Sequence, residues 1–554
     1  MDVLPITREV VASRKLKTVG KPWVERFSPL GNMLPENFNI SPVNACAAVV
    51  VALVGGWAAT RMYKRQSQLS LPPGPPETSW LKGNGEEIPR TFVWLKYTEW
   101  NKKYGDIIHA RAGSKHIIVV SSYEGMVELF ETHGAQCSHR PRRYMAFLMG
   151  WENLAFFRST YDEQLRTFRR HMNVGFSKKA VAAYSEGQTK DIHLFLRRLI
   201  ANPDGFFEEA KWLLGRIIMQ ITYGYSVTNT NDPFIKLSED ALKSLVIGVM
   251  GNHPVDTYPL LRYFPAWFPG IGFKRQAEEA RKISKRLANE PFDWALKAMN
   301  EGTAIPSFIS QLLDLHEDKN DSIDSIKWSA ASMYSGGIHN THATLANFIT
   351  AMVLYPEVAQ KAREEIDRVI GTERLPTISD RADLPYLECV LLETLRWQPV
   401  APLGSPRSVH RDHAYKGHHI PAHSTIYCNI YAITRDEKIF PDPERFMPER
   451  FAKGHPGPSP LNPRNFVFGA GRRICPGNHV VDASFVRKVF LVIASIIATM
   501  NISKPRDEQG NEIEPIISRT GFQTNQVVPF QCSINPRSER VVRLINSAVL
   551  FEQE

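Results

Sequence analysis

Apolar residues along this chain recur mostly at helical spacing, broken by brief stretches of alternation. Leu387, Val390, Leu391, Thr394 and Leu395 step three and four apart, the period that lines one face of a helix. Residues 185–300 read mainly as helices, one of them ending at Tyr223-Gly224. Asp321-Ser322-Ile323-Asp324 has the composition of a helix cap. It predicts one long helix to about Tyr355, where Pro356 opens another. The apolar run from Val480 to Met500 predicts a buried helix. After Tyr104-Gly105-Asp106 the period changes to two, and residues 108–111 and 116–120 flank Gly113-Ser114 as arms of a hairpin.

The N-terminal pattern is different. Residues 1–41 form a mildly basic, proline-containing lead without strong periodicity. Val43 to Thr60 carries no charge and is rich in Ala and Val, which predicts a membrane-anchor helix over 42–60. Arg61, Lys64 and Arg65 follow at once, whereas Arg26 is the only cation just before the segment. That asymmetry places the downstream side in the cytosol, as in a single-pass protein of the endoplasmic reticulum. The apolar core lies too far from Met1 for a cleaved signal peptide. Leu71-Pro72-Pro73-Gly74-Pro75-Pro76 reads as a stiff extended connector. Residues 61–76 are then a basic, proline-rich hinge and 77–554 the catalytic body.

Composition narrows the class. Hydrophobic content of 43% and charged content of 22% describe an ordinary globular core. Cysteines 46, 137, 389, 428, 475 and 532 are scattered, so neither a disulfide framework nor a zinc site is expected, and the compartment is reducing. The net charge of +10 is spread without an arginine-rich block. That argues against nucleic acid and for an acidic protein partner or an anionic membrane surface.

Candidate chemistry concentrates at Phe468-Gly469-Ala470-Gly471-Arg472-Arg473-Ile474-Cys475-Pro476-Gly477. A cysteine in a glycine-rich loop at the foot of a helix is placed to ionise. Gly471 and Gly477 would let backbone amides approach its sulfur. A lone cysteine in a glycine turn is usually inert; five spaced positions together argue otherwise. The paired Gly336 and Gly337 inside a helix destabilise it and need a reason, either a flat cofactor or close helix packing. His410, His413, His418, His419 and His423 lack metal-ligand spacing and read as hairpin surface. The aromatic, proline-rich Tyr263-Phe264-Pro265-Ala266-Trp267-Phe268-Pro269-Gly270 reads first as a packed loop, second as the rim of an entrance for substrate or membrane.

The spacing Phe-x-x-Gly-x-Arg-x-Cys-x-Gly resembles the haem-ligand loop of the cytochrome P450 family. The resemblance implies Cys475 as the axial thiolate of haem b, with Phe468, Gly471, Arg473 and Gly477 shaping its seat. Glu393-x-x-Arg396 resembles the family's Glu-x-x-Arg motif, locked by an arginine from a downstream meander. Arg450 in Phe446-Met447-Pro448-Glu449-Arg450-Phe451 fills that role rather than Arg445 of the near-copy before it. Arg169 matches the arginine of Trp-x-x-x-Arg, a haem-propionate partner, although Leu165 stands at the tryptophan position. Arg407 occupies the place of a second propionate-binding group, and Ser138-His139-Arg140-Pro141 resembles the segment opening the loop over the haem. Thr520-Gly521-Phe522 resembles the hairpin turn that projects toward substrate, with Gly521 making the turn and Phe522 the apolar contact.

Ser335-Gly336-Gly337-Ile338-His339-Asn340-Thr341 resembles the family's oxygen-binding helix, with a departure. His339 stands at the acid position and Asn340 at the threonine position, while Thr341 is one residue off it. An amide donates a hydrogen bond but cannot relay a proton through a hydroxyl, whereas an imidazole can titrate near neutrality. The implied fold is mainly α with a smaller β region, haem lying between the long distal helix and the cysteine loop. The implied activity is a haem-thiolate monooxygenase acting on a small, largely apolar substrate, a secondary metabolite as in fungal members. Oxygen would be the co-substrate. No dinucleotide or flavin motif is present, so electrons would come from an NADPH-dependent flavoprotein reductase. The altered distal pair leaves open an oxygen-independent isomerase or dehydratase, or a degenerate haem-binding protein.

Overall fold

The computed structural model describes Val51, Gly55, Gly56 and residues 69–551, apart from 176, 252, 317–321, 458–459 and 477–484. The chain divides into two units, Met1–Gln68 and Leu69–Glu554. In the first, the described residues are helical. The lead, the rest of the anchor segment 42–60 and residues 61–68 lie outside the described residues. Among the described residues no helix is long and apolar enough to cross a membrane.

The larger unit begins with the proline run, which is not free in space. The His109 amide donates to the Pro73 carbonyl at 2.8 Å. A Cβ on Gly74 would stand 1.9 Å from the His109 carbonyl oxygen, so only glycine permits that approach. The run is therefore laid along the edge of a sheet made by β1 (Ile107–Ala112), β2 (Lys115–Val120), β3 (Arg407–Ser408) and β6 (Thr425–Cys428). The order is β1-β2-β6-β3. The predicted hairpin is present as β1 and β2, and β2 pairs in parallel with β6. β4 (His413–Tyr415) and β5 (His418–Ile420) form a separate hairpin that carries three of the five clustered histidines.

Among the described residues, the helices of eight residues or more are α1 (Val93–Tyr104), α2 (Glu163–Gly175), α3 (Lys178–Ala201), α4 (Phe206–Tyr223), α5 (Pro233–Met250), α6 (Phe273–Asn300), α7 (Phe308–His316), α8 (Ile323–Gly337), α9 (His339–Leu354), α10 (Pro356–Val369), α11 (Pro385–Trp397), α12 (Phe485–Thr499) and α13 (Glu539–Phe551). α4 ends where sequence places it, with Gly224 at φ 71° satisfying the last turn. α8 starts on Ser322, whose hydroxyl accepts from the Ser325 amide. Buried side chains of α4, α8, α9 and α12 fill the main core, with Phe207, Tyr334, Phe348 and Phe490 nearly inaccessible.

Two expectations need correction. The single helix predicted from residue 324 to 355 is two helices, α8 and α9, interrupted at Ile338. Its cause is local: the Thr341 hydroxyl donates to the Gly337 carbonyl at 2.7 Å, and Thr344 to Asn340 at 3.0 Å. Such back-bonding to the preceding turn bends helices, and glycine at the bend offers little resistance. The loop from Tyr263 to Gly270 is not packed. Its residues are exposed, Trp267 by 80% and Tyr263 by 69%.

Candidate active site

The site is supported by a buried ion triad. Glu393 and Arg396 lie three apart on α11, so they share a face, and the guanidinium grips both carboxylate oxygens at 2.7 and 2.8 Å. Arg450, the arginine that the resemblance puts in the meander, donates to the same carboxylate at 3.2 Å. Its remaining donors meet the carbonyls of Pro441, Asp442 and Arg445. All three side chains are buried, and each charge is answered, which is what makes burial tolerable.

Above this frame lies the cysteine loop. The Cys475 amide donates to the Phe468 carbonyl at 3.0 Å, closing the loop. Among the described cysteines, Cys475 is exposed while Cys137, Cys389, Cys428 and Cys532 are buried. Gly471 has φ 62°, and a Cβ there would come within 1.7 Å of the Phe130 carbonyl oxygen. Its glycine is therefore required by the approach of Phe130. Gly477 lies outside the described residues.

Four arginines gather beside the loop. Arg169 of α2 donates to the Ile474 carbonyl at 3.0 Å, next to Cys475. Arg407 of β3 donates to Ala470 at 3.0 Å, and Arg140 to Pro406 at 3.0 Å. Arg473 donates to the carbonyls of Ser138, Arg158 and Thr160. Among the described residues none of the four forms an ion pair with a carboxylate. Burial, reinforced by neighbouring guanidiniums, holds Arg407 well below the usual range and pulls Arg473 down to about 9. Burial alone lowers Arg140 to about 10. The Arg140 Nε and one terminal nitrogen of Arg473 are buried without a partner. Buried cations that repel one another and retain unmet donors fit a multiply charged anionic ligand. The two propionates of haem b meet that requirement. Sequence reasoning did not single out Arg140, although it lies in the segment expected over the haem. Leu165, at the missing tryptophan position, is packed into the core.

The segment from Gly336 to Thr341 lies at the break between α8 and α9. A Cβ on Gly336 would meet nothing within 4 Å, so this glycine borders open space. Gly337 is different: a Cβ there would be 2.8 Å from Ile218 of α4, which makes it a helix-packing glycine. Asn340 is exposed, its amide nitrogen 3.4 Å from the Gly336 carbonyl. It shares the open side with Gly336, as expected of a residue one helical turn on. Thr341 is buried and spends its hydroxyl on Gly337. The His339 imidazole turns to α5, where its Nε2 lies 3.2 Å from the Ser238 hydroxyl. Burial depresses it to about 4, so the ring is neutral near pH 7. Nothing in the pattern of α5 marked Ser238, a polar residue midway along an amphipathic helix.

At the far edge, Gly521 makes its turn at φ 66° under the ring of Phe92, while Phe522 is exposed. Gln523 of this turn joins Arg140, Phe147, Phe156, Phe157 and Pro406 around a cavity of about 60 Å³.

A mainly helical body, buried arginines with unmet donors and an exposed cysteine in a locked loop match a haem-thiolate oxidoreductase. The Cytochrome P450 family model matches residues 72–519. Cytochrome P450 monooxygenase claR of Ampulloclitocybe clavipes is 36% identical over 484 residues, 86% of this chain and 89% of that one. Cytochrome P450 monooxygenase 176 of Postia placenta is 36% identical over 510 residues, 90% and 96% of the two chains. Tryptamine 4-monooxygenase of Psilocybe cyanescens is 32% identical over 495 residues, 87% and 96%. This chain belongs to the cytochrome P450 family, as a monooxygenase with haem b on a cysteine thiolate.

Proposed function

We propose that the chain hydroxylates or oxidises a small, largely apolar secondary metabolite, using O2 and electrons passed from NADPH by a flavoprotein reductase. Cys475 is the axial ligand in this reading. Arg140, Arg169, Arg407 and Arg473 hold the propionates, and Phe468 and Gly471 shape the seat. Bound there, haem b supplies dioxygen chemistry, with the thiolate pushing electron density to favour O–O cleavage. The rest is the protein's work. Asn340 presents an amide donor on the open side of the distal helix, which can order water but not relay a proton through itself. Gly336 leaves room beside it. Phe147, Phe156, Phe157 and Pro406 line a cavity beside Arg140, together with Arg142, Arg143 and Glu152, and its aromatic surface is the observation that supports an apolar substrate.

Membrane attachment belongs to the same reading: a single-pass anchor at 42–60, with the body on the cytosolic side of the endoplasmic reticulum. The exposed aromatic run from Tyr263 to Phe268, flanked by Arg262 and Lys274, supports a second contact with an anionic lipid surface.

The test is direct. Membranes carrying the chain should show the red-shifted thiolate Soret band when reduced under carbon monoxide, and Cys475→Ala should abolish it. With a flavoprotein reductase added, apolar candidates should accelerate NADPH and O2 consumption and yield oxygenated product. Product formed without O2 uptake would replace this reading by an isomerase.

A further inference from the structure

The distal helix is broken at Ile338, yet its two halves are held by the same neighbour. On α8, the Tyr334 hydroxyl donates to the Phe234 carbonyl of α5. On α9, the first residue after the break, His339, meets the Ser238 hydroxyl at 3.2 Å. Ser238 thus holds the α9 side of the interruption, one turn of α5 away from the carbonyl that holds the α8 side. It is 3% exposed and Tyr334 is fully buried, so water does not substitute readily for either contact. From α4 the break is packed tightly. The missing Cβ of Gly337 would crowd Ile218, and that of Gly215 would stand 3.0 Å from Ile235 of α5 and 4.0 Å from Ile338. The break is therefore gripped by apolar contact from α4 and by a carbonyl and a hydroxyl from α5.

We propose that Ser238 is a positioning residue for the monooxygenase reaction: by holding His339 on α5, where Tyr334 of α8 is also tied, it sets the angle between α8 and α9, and hence where Asn340 stands beside Gly336. Asn340 follows His339 directly, so a rotation of the first turn of α9 moves the amide on the open side. The neutral state of His339 suits this role. A neutral imidazole accepts from, or donates to, a hydroxyl without bringing a charge into the α4–α5–α9 junction, where the Lys211–Glu239 pair stands near. The assignment also separates neighbouring residues by task, with Asn340 on the open side and His339 on the packed side.

This inference rests on the monooxygenase reading, and its first measurement needs no turnover. In the haem-loaded enzyme without substrate, amide hydrogen exchange across residues 334–342 is compared for the wild type, Ser238→Ala and Ser238→Thr. Losing one buried hydrogen bond should raise exchange there about tenfold in Ser238→Ala, with Thr restoring protection. The second measurement is product formed per NADPH consumed, which should fall about threefold to tenfold in Ser238→Ala, with KM for substrate little changed. Should Ser238→Ala fail to give the thiolate Soret band, His339→Leu, which removes the same contact from the other side, takes its place. Unchanged exchange and unchanged coupling overturn the proposal while leaving the enzyme a monooxygenase. A raised KM with coupling intact also overturns it, by assigning Ser238 to substrate binding. Absence of the Soret band in the wild type itself would instead remove the reading beneath.

Discussion

Glu393 accepts from two guanidiniums at a position with no access to solvent, so each member of the triad depends on the others. Replacing Arg450 by Met should destabilise the protein by about 3–5 kcal/mol, because it breaks a buried ion pair and leaves the carbonyls of Pro441 and Asp442 without its donors. Arg445→Met, in the near-copy of the motif, is the matched control: its side chain is exposed and should change stability by less than about 0.5 kcal/mol. Thermal unfolding of the two variants measures the contrast. Asn340→Thr tests the distal departure. A hydroxyl at that position can pass a proton, so product per NADPH should rise; an unchanged ratio would give the amide its own role. His339 and His342 add a pH dependence. Burial holds both near 4, against about 6.5 unfolded, so the unfolded chain binds more protons between those values. Their contribution is complete above about pH 6.5 and is lost as pH falls toward 4, on the order of 2 kcal/mol each after discounting partial exposure. Chemical unfolding at stepped pH should show the decline, and a His339→Gln, His342→Gln double variant should flatten it.

At the scale of elements, the cysteine loop and the distal helix teach different lessons. Gly471→Ala should prevent the loop from closing, because both its φ and the Phe130 carbonyl forbid a Cβ. The expected outcome is loss of the thiolate Soret band with the helical circular dichroism retained. The requirement for glycine was legible in the sequence, but its cause was not: Phe130 lies more than three hundred residues away, and no local pattern announces it. The same holds for Arg140, which meets Arg407 and Arg473 only once the fold is made. Motifs whose partners are near in the chain, such as Glu393 with Arg396, could be read at once from helical period. The break at Ile338 was hidden for a related reason. Thr341 and Thr344 look like ordinary helix residues, and only their hydroxyls returning to the previous turn reveal the bend. Gly336 and Gly337 looked like a pair with one purpose and serve two, open space and helix packing.

For the whole molecule, the exposed aromatic run and the N-terminal apolar segment lead to one expectation. A chain lacking residues 1–68 should lose firm membrane attachment yet still float with anionic vesicles at low salt. Changing Tyr263, Trp267 and Phe268 together to Ser should abolish that residual binding, while the Soret band persists. The arginine cleft has a consequence of another kind. Without its dianionic partner the body carries mutually repelling cations in its interior, and ligation relieves that penalty in proportion to the logarithm of ligand supply. Cofactor abundance thereby becomes a control on the lifetime of the polypeptide: in cells starved of iron or porphyrin, newly made chains should be cleared by proteolysis before they accumulate, and a pulse-chase with and without a porphyrin precursor would register the difference.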